Sequence, residues 1–481
     1  MNKATTEEEQ RKKDVERLHA LEYGAIPSLL FKYALPAVIG TVVNALYNVV
    51  DRIFIGQAAG DLAIAGLGVT FPILLFLIAF GMLIGSGASV RVSILMGRKE
   101  LHKAEQILGN ALILTFVFNV VLCTLALIFL EPLLRLFGAG DAIIPYAKTY
   151  LYIVIPFNLF SDLSFSFNAV MRASGYPTKA MISMLIGALT NVVLDALFIF
   201  VFDWGIAGAA WATSIAMVIA ACYVMSHFFD KRSIVHFTKN GMKPSRHMIG
   251  QIISIGVAPF AMAIVGAVVS MVINRSFAQY GTTESEVVSA MAAYAIILGI
   301  TQLFIQFMLG VSMGMQPIVG FNLGAGKIER SIKAYKCALL VNVSVATLGL
   351  LIALLKPSIF VDIFNPGPEL AHLTYTAIGI VLLGFPLVGC QLTSVQFFQG
   401  LGHSGKAMFI SVTRQLIYLL PGLLILPIFY GIKGVWIAMP LSDALSGLTA
   451  IGMILFFIPR FRKRYGKKEP SDQPPHTTET K

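Results

Sequence analysis

Long apolar runs, each followed by a short polar segment, recur along the whole chain. Each run is about 20 residues long, which is the length of an α-helix that crosses a bilayer. The pattern predicts twelve spans, at roughly 28–50, 65–92, 107–130, 147–171, 179–202, 206–229, 250–274, 287–312, 333–355, 372–397, 407–430 and 434–458. It indicates an all-α polytopic membrane protein, because a membrane β-barrel would show short segments of alternating polarity.

One long polar interruption, at 230–248, divides the spans into two groups of six. We therefore expect five regions: a cytoplasmic N-terminal tail (1–27), a six-helix lobe (28–229), a cytoplasmic linker (230–248), a second six-helix lobe (249–458) and a basic, disordered cytoplasmic C-terminal tail (459–481).

The two halves repeat one another. "GYPTKAM" at 175–181 matches "GHSGKAM" at 402–408, and "GIAG" at 205–208 matches "GIKG" at 431–434, in both cases with nearly the same separation. Because each half holds an even number of spans, both enter the membrane in the same direction. A pseudo-two-fold axis along the membrane normal should relate them, as in alternating-access transporters.

Composition and charge agree with this class. The chain is 57% hydrophobic and 13% charged, against about 25% charged residues in soluble proteins. Its net charge of +11 comes from basic loops and tails, with 29 Lys and Arg on one side of the spans and 6 on the other. This asymmetry predicts that both termini are cytoplasmic, and it argues against a nucleic-acid partner.

Two other features indicate no cofactor. "GLGHSGKA" at 400–407 differs from a nucleotide-binding P-loop at the last position, but its counterpart "ASGYPTKA" identifies it as a turn between spans. The four cysteines all lie in apolar runs without CxxC spacing, so neither a disulfide framework nor a zinc site is predicted. Without a nucleotide site, transport should be driven by an ion gradient.

Ionisable side chains within spans are costly, at about 2.5–3.5 kcal/mol each, and are therefore functional candidates. The candidates are Asp51, Asp162, Asp195, Arg414 and Asp443. Asp162 and Arg414 lie nearer the cytoplasmic side, where we expect them to serve as gate or interlobe hydrogen-bond partners. For Asp443, near the outer part of its span, the sequence suggests no partner.

The first span ends in "NALYNVVDRIFIG". Asn44, Asn48 and Asp51 lie on one face of the helix, and Tyr47, four residues before Asp51, can reach the same place. The alternative is that Asp51 is only the solvated end of the span, next to Arg52.

Span 5 carries Asn191 and Asp195 one helical turn apart, and Thr213 follows near the start of span 6. A rise of about 1.5 Å per residue puts Asp195 and Thr213 in the outer half of the membrane, level with Asp51. The predicted cluster suits a small hard cation, or equally a carboxyl pair that carries a proton. The sequence does not choose between Na⁺ and H⁺.

The chain resembles the multidrug and toxic compound extrusion (MATE) transporters, most closely their prokaryotic DinF-like and MepA-like branch. The resemblance extends over residues ~25–458 and depends on an ordered set of motifs: "YNVVDRIFIG", "GSGASVRVSILMGRK" (85–99), "NAVMRASGYP" (168–177), "NVVLDALFIF" and "GIAGAAWATSIA".

The resemblance implies roles for individual positions. Pro36 would be the helix-bending proline, and the Na⁺ or H⁺ site would include Asp51, Tyr47, Asn191, Asp195, Thr213 and the backbone carbonyl of Ala209. A Na⁺ ion would be held by Asp51, Asn191, Asp195, Ala209 and Thr213. Some branches also use acidic residues in spans 7 and 10, but neither of these spans contains Asp or Glu here.

We therefore expect a monomeric cation-coupled antiporter in a bacterial cytoplasmic (inner) membrane that exports amphipathic, often cationic, organic compounds. A lipid-linked sugar flippase would share the two-lobed plan, but it needs a cleft rich in Arg and Lys, and Arg414 alone is clearly cationic and intramembrane. The chain has no HExxH motif or serine–lysine pair that would favour a membrane enzyme.

Overall fold

The computed structural model describes residues 3–137, 139–281, 283–364 and 367–465. Within these ranges, the side chains at 3–11, 13, 48, 52, 56–65, 267, 270, 274, 284 and 465 lie outside the described set. The described part is almost entirely helical and contains no β-strand, which confirms the all-α prediction.

Twelve helices in the described residues are long and apolar enough to cross a membrane, as the sequence predicts. In order they are spans 1 to 12: Ile26–Ile55, Gly66–Gly97, Leu101–Ile128, Ile144–Ala173, Pro177–Val201, Gly205–Phe229, Arg246–Tyr280, Ser285–Gly324, Ile328–Leu355, Pro368–Gly400, Ser404–Tyr430 and Ile432–Arg464. We call spans 1–6 the first lobe and spans 7–12 the second lobe.

Several elements differ from the simple span pattern. Spans 1 and 2 belong to one helix, Ile26–Gly97, which continues through Pro36. Spans 5 and 11 each contain a π-helical segment, at Ala196–Val201 and Thr413–Leu419. The remaining elements are short helices at Leu130–Leu136 and Ser358–Val361, and 3₁₀ turns at Asp362–Phe364 and Leu382–Gly384.

Both tails contain helix. Residues Lys3–Tyr23 form a separate helix, which we call the N-terminal helix. The last span extends to Tyr465, so the expectation of a disordered tail is wrong for 459–465, where the apolar Phe461 packs into the core. The rest of that tail, 466–481, lies outside the described residues.

Equivalent turns in the two lobes share a backbone conformation. Gly175 and Gly402 have φ of +100° and +75°, and Gly205 and Gly431 have φ of +52° and +57°. Glycine suits these left-handed positions because it has no Cβ to clash with the neighbouring carbonyl. The repeat read from the sequence therefore corresponds to a repeat of local structure.

Among the described residues, the buried apolar side chains form one large core shared by both lobes, a small shared group of Val90, Ile94 and Ile255, and two cores of one lobe each. The shared core lies near the junctions at 98–100, 174–176, 230–245, 325–327 and 401–403, which carry most of the loop cations; we call this the basic end. Towards the opposite end, Leu77 and Tyr150 belong to a first-lobe core, and Phe277 and Trp436 belong to a second-lobe core. The lobes thus pack together at the basic end and have separate cores beyond it.

Glycines make this close packing possible. A methyl group added to Gly256 of span 7 would overlap the carbonyl oxygen of Leu83 in span 2, and one added to Gly87 would overlap that of Ile252. Thr41 of span 1 also donates a 2.9 Å hydrogen bond to the carbonyl of Gln306 in span 8. Backbone-to-backbone contact of this kind, without side chains between the helices, closes the basic end between the lobes.

Candidate functional site

Span 1 brings Asp51 to the half of the membrane opposite the basic end. Asp51 and Tyr47 are half-buried, whereas Asn44, one turn earlier, is exposed. The side chain of Asn48 lies outside the described residues, so its predicted place in the cluster is untested.

Span 5 supplies the second carboxyl group. Asp195 is fully buried and lies beside Asp51, close enough for the two carboxyl groups to share a hydrogen bond. Asp195 is the last residue of the α-helical part of the span and precedes the π-helical segment Ala196–Val201. Such π-bulges recur at functional sites. The two carboxyl groups that the depth argument placed at one level are therefore neighbours in the structure.

Span 6 contributes the remaining residues of the predicted cluster, Ala209 and Thr213. Asn191 Nδ2 donates to Thr213 Oγ1 at 3.3 Å, which joins spans 5 and 6 at this depth. Ala209 is fully buried and lies one turn before Thr213 on the same face of its helix. The neighbouring Gly208 packs against the backbone of Phe198, which holds the start of span 6 close to the π-helical segment.

Tyr150 of span 4 belongs to the same cluster and was missed by the sequence reasoning. Its side chain is buried, its hydroxyl hydrogen-bonds with Thr213, and Asp51, Tyr47 and Asp195 are close enough to act on it electrostatically. Tyr150 lies six residues after the start of the helix Ile144–Ala173, which places it at the same depth in the membrane as the cluster. This depth was the sequence signal that could have identified it.

The cluster has unused acceptors. Among the described residues, neither carboxyl oxygen of Asp195 nor Oδ1 of Asn191 accepts a hydrogen bond, although all three atoms are buried. Buried polar atoms without partners are costly. A proton shared by the carboxyl groups, or a small cation bound by carboxyl, amide and hydroxyl oxygens, would satisfy them. No group of three His, Cys, Asp or Glu suited to a transition metal occurs in the described part of the chain.

Part of the cluster lines an open cavity of about 880 Å³, whose wall is made by first-lobe residues and by Met313 of span 8. Tyr47, Asn191 and Thr213 line the cavity and lie beside Asp51 and Asp195, which do not line it themselves. Further towards the basic end the lining includes Phe165, Met184, Met217 and Met313 together with Asn168 and Arg172. Flexible thioethers and an aromatic ring suit apolar molecules of varied shape.

Asp162 lies in a separate polar cluster within the first lobe. Its Oδ2 accepts hydrogen bonds from Asn119 Nδ2 at 2.8 Å and Asn158 Nδ2 at 3.5 Å, and its side chain is buried. Oδ1 lies against the Cα of Gly81. These partners come from spans 2, 3 and 4, which all belong to the first lobe. Asp162 therefore does not make the interlobe contact that we expected.

Arg414 also has its partner in its own lobe. Its Nε donates to Oδ1 of Asp443 at 2.7 Å, between spans 11 and 12. The interlobe expectation for Arg414 is therefore corrected, and Asp443, for which the sequence suggested no partner, has one. The packing between the lobes instead involves Gly87 and Gly256. Sequence reasoning did not predict this contact, because glycine has no side chain that would indicate it.

Known proteins share this architecture. The model of a family described as MatE matches residues 36–197 and 259–424. The chain is 25% identical over 91% of its length to the multidrug export protein MepA of Staphylococcus haemolyticus, and 25% identical over 93% of its length to MepA of Staphylococcus aureus (strain MRSA252). The match covers 95% and 97% of those relatives.

A solved structure supports the fold. An outward-facing multidrug resistance MATE family transporter of the MOP superfamily superposes with a TM-score of 0.86 at 23% identity, covering 94% of this chain and 99% of that one. The twelve-span, two-lobed architecture with a polar site in one lobe defines a membrane transporter and not an enzyme. The family match covers most of the chain, and the chain belongs to the MatE family, as the sequence resemblance implied.

Proposed function

We propose that this protein is a cation-coupled antiporter that exports amphipathic organic compounds. The observation that carries the proposal is the close pair Asp51 and Asp195, which lies beside residues that line a largely apolar cavity. Relatives named as multidrug export proteins support an organic substrate.

The carboxyl pair supports the coupling step. Two carboxyl groups this close repel each other when both are ionised, so one proton or a small cation between them is strongly favoured. Either ion would also satisfy the unused oxygens of Asp195 and Asn191. We propose H⁺ or Na⁺ as the transported coupling ion, held by Asp51 and Asp195 with help from Asn191, Thr213, Tyr150 and the carbonyl of Ala209.

Shared residues support competition between ion and substrate. Tyr47, Asn191 and Thr213 belong both to the cavity wall and to the carboxyl cluster. An ion that draws these side chains towards Asp195 changes the lining that a substrate meets. The ion drives export because it binds the substrate-free arrangement more tightly than the substrate-loaded one.

The packing of the lobes supports an alternating-access mechanism. The lobes meet closely at the basic end and have separate cores at the other end, which fits a conformation open away from the basic end. We propose that the basic end faces the cytoplasm of a bacterial cell, so that both termini are cytoplasmic, because basic loops stay on that side. Export then requires the glycine contacts between Gly87 and Ile252, and between Gly256 and Leu83, to open.

Ethidium efflux from proteoliposomes tests the proposal, with Na⁺ and H⁺ gradients imposed separately. The matched variants are Asp51→Asn, Asp195→Asn and Glu369→Gln, the last removing an exposed carboxylate at the end opposite the basic end. We expect the first two to lose at least about tenfold in gradient-driven efflux, since an amide holds neither a transferable proton nor the cation's charge. Wild-type efflux by Asp195→Asn, or efflux that neither gradient stimulates, would reject ion coupling at this site.

A further inference from the structure

A second cavity lies at the basic end, between the N-terminal helix and the first lobe. It has an open volume of about 570 Å³ and shares no lining residue with the larger cavity. Three cations line it: Arg17 of the N-terminal helix, Lys32 of span 1 and Lys179 of span 5. We call it the basic cavity.

Positive charge is in excess there. Arg17 forms a 2.6 Å ion pair with Asp14, which also accepts a 3.0 Å hydrogen bond from Tyr176. Lys32 and Lys179 have no carboxylate within ion-pair distance among the described residues, and no carboxylate lines the cavity. The Nζ of Lys179 lies 3.3 Å from His227 Nδ1. The two ammonium groups therefore face one space without a direct ion pair, although Asp14 and Asp230 are close enough to Lys179 to attract it.

A largely buried tyrosine lines the same space. Tyr33 lines the basic cavity and is 3% exposed, yet its hydroxyl makes no hydrogen bond to any described residue. Arg17 and Tyr176 are its polar neighbours. An acceptor on a ligand bound in the cavity would give this hydroxyl group a hydrogen-bond partner.

The start of span 5 adds two donors. Its helix begins at Pro177 without a side-chain cap, and the first backbone hydrogen bond inside it runs from Ala180 to the carbonyl of Tyr176. The backbone N–H groups of Thr178 and Lys179 thus remain available beside the cations. Anions bind at such helix ends because the N–H groups and the helix dipole both favour negative charge.

We propose that the basic cavity binds a phosphate group, carried by the headgroup of an anionic phospholipid. The lipid source is favoured by the flanks of Lys32, where the apolar side chains of Phe31 and Leu35 are 66% and 44% exposed on the outer surface of span 1. Acyl chains can lie along this face while the headgroup enters the cavity. Basic pockets between membrane helices bind anionic headgroups in this way.

A bound headgroup would strengthen the contact between the N-terminal helix and the first lobe, where Tyr176 already donates to Asp14. The other end of that helix is already bonded to the second lobe, since Asn322 Nδ2 donates to the carbonyl of Leu21 at 3.2 Å and Arg330 donates to that of Gly24 at 2.7 Å. The lipid therefore reinforces a connection between the lobes at the basic end.

Native mass spectrometry of the full-length protein tests this, with phosphatidylglycerol titrated against phosphatidylcholine. The test variants are Tyr33→Phe, Lys32→Gln and the triple variant R17Q/K32Q/K179Q. The charge-matched control is K239Q/K333Q/K336Q, which removes three exposed cations outside the cavity. Each cation near anionic lipid contributes about fivefold in affinity, so the triple variant should lose on the order of 100-fold.

Support requires wild-type preference for phosphatidylglycerol, loss in the triple variant and in Lys32→Gln, and retention in the control. Tyr33→Phe should bind several-fold more weakly while unfolding at the same temperature. If millimolar inorganic phosphate displaces phosphatidylglycerol, the site accepts the phosphate group itself. If it does not displace the lipid, the lipid tails are needed for binding. Equal losses in the test and control triples, or no preference for phosphatidylglycerol, would overturn the proposal.

Discussion

Arg414 donates a 2.7 Å hydrogen bond to Asp443 in the second lobe, at the place where the first lobe has its cavity. The internal repeat pairs Arg414 with Gly187, because "GHSGKAM" pairs with "GYPTKAM", and it pairs Asp443 with Met217. Gly187 and Met217 both line the first-lobe cavity. By this pairing the ion pair stands at positions equivalent to two lining residues of that cavity, so the two lobes carry different charges there.

This pair should matter for stability. Arg414→Met leaves the carboxylate of Asp443 buried and unpaired, and breaking a buried ion pair in this way costs about 3–5 kcal/mol. The double variant R414M/D443L replaces both charges by apolar groups and should recover most of that loss. Thermal unfolding of the purified variants measures the difference. If the single and double variants are equally destabilised, the two charges are not coupled.

Tyr150→Phe tests the residue that the sequence reasoning missed. The change removes the hydroxyl group that bonds Thr213 beside the carboxyl pair and leaves the ring in the first-lobe core. One hydrogen bond contributes about 0.5–1.5 kcal/mol, so the coupling ion should bind roughly 2- to 12-fold more weakly. The ion dependence of ethidium efflux measures this.

Tyr152→Phe is the matched control, because Tyr152 lies two residues further along the same helix and is 53% exposed. It should leave the ion dependence unchanged. An equal effect of both substitutions would mean that Tyr150 acts through the general packing of span 4.

The sequence predicted the span pattern and most of the cluster because both depend on spacing along single helices. Asn191 and Asp195 lie one turn apart, and the helical rise then gives their depth relative to Asp51. The contacts of Tyr150 and of the Arg414–Asp443 pair depend on how one helix is rotated against another. The spacing of residues within a single helix gives no information about that rotation. The π-helical segment Thr413–Leu419 adds to the difficulty, because it turns Arg414 away from the face that a regular α-helix would give it.

The glycine contacts should determine how tightly the basic end closes. Gly256→Ala puts a methyl group onto the carbonyl of Leu83, and backbone atoms cannot move aside without separating spans 2 and 7. We expect the lobes to be further apart at the basic end. The four native cysteines are first replaced, and spin labels are then attached at Lys103 and Lys336, which are exposed residues of opposite lobes. Pulsed electron paramagnetic resonance should report a longer distance between the two labels than in the wild type.

Gly250→Ala is the control for that experiment. It lies in the same span, and an added methyl group there meets no atom within 4 Å. The distance between the labels should stay at the wild-type value. If Gly256→Ala also left the distance unchanged, the contact with Leu83 would not limit closure.

Substitutions of Asp162 test whether its carboxyl group has a structural role or takes part in ion coupling. Asp162→Asn keeps an oxygen that accepts from the amides of Asn119 and Asn158, and its shape still fits against Gly81, so export should stay near the wild-type rate. Asp162→Ala leaves the two buried amide donors without that acceptor and should lower the free energy of unfolding by about 1–3 kcal/mol. Efflux and thermal unfolding measured on both variants separate the two effects. Loss of efflux in Asp162→Asn without loss of stability would instead place a proton on Asp162 during the transport cycle, because the amide preserves the hydrogen bonds and removes the titratable group.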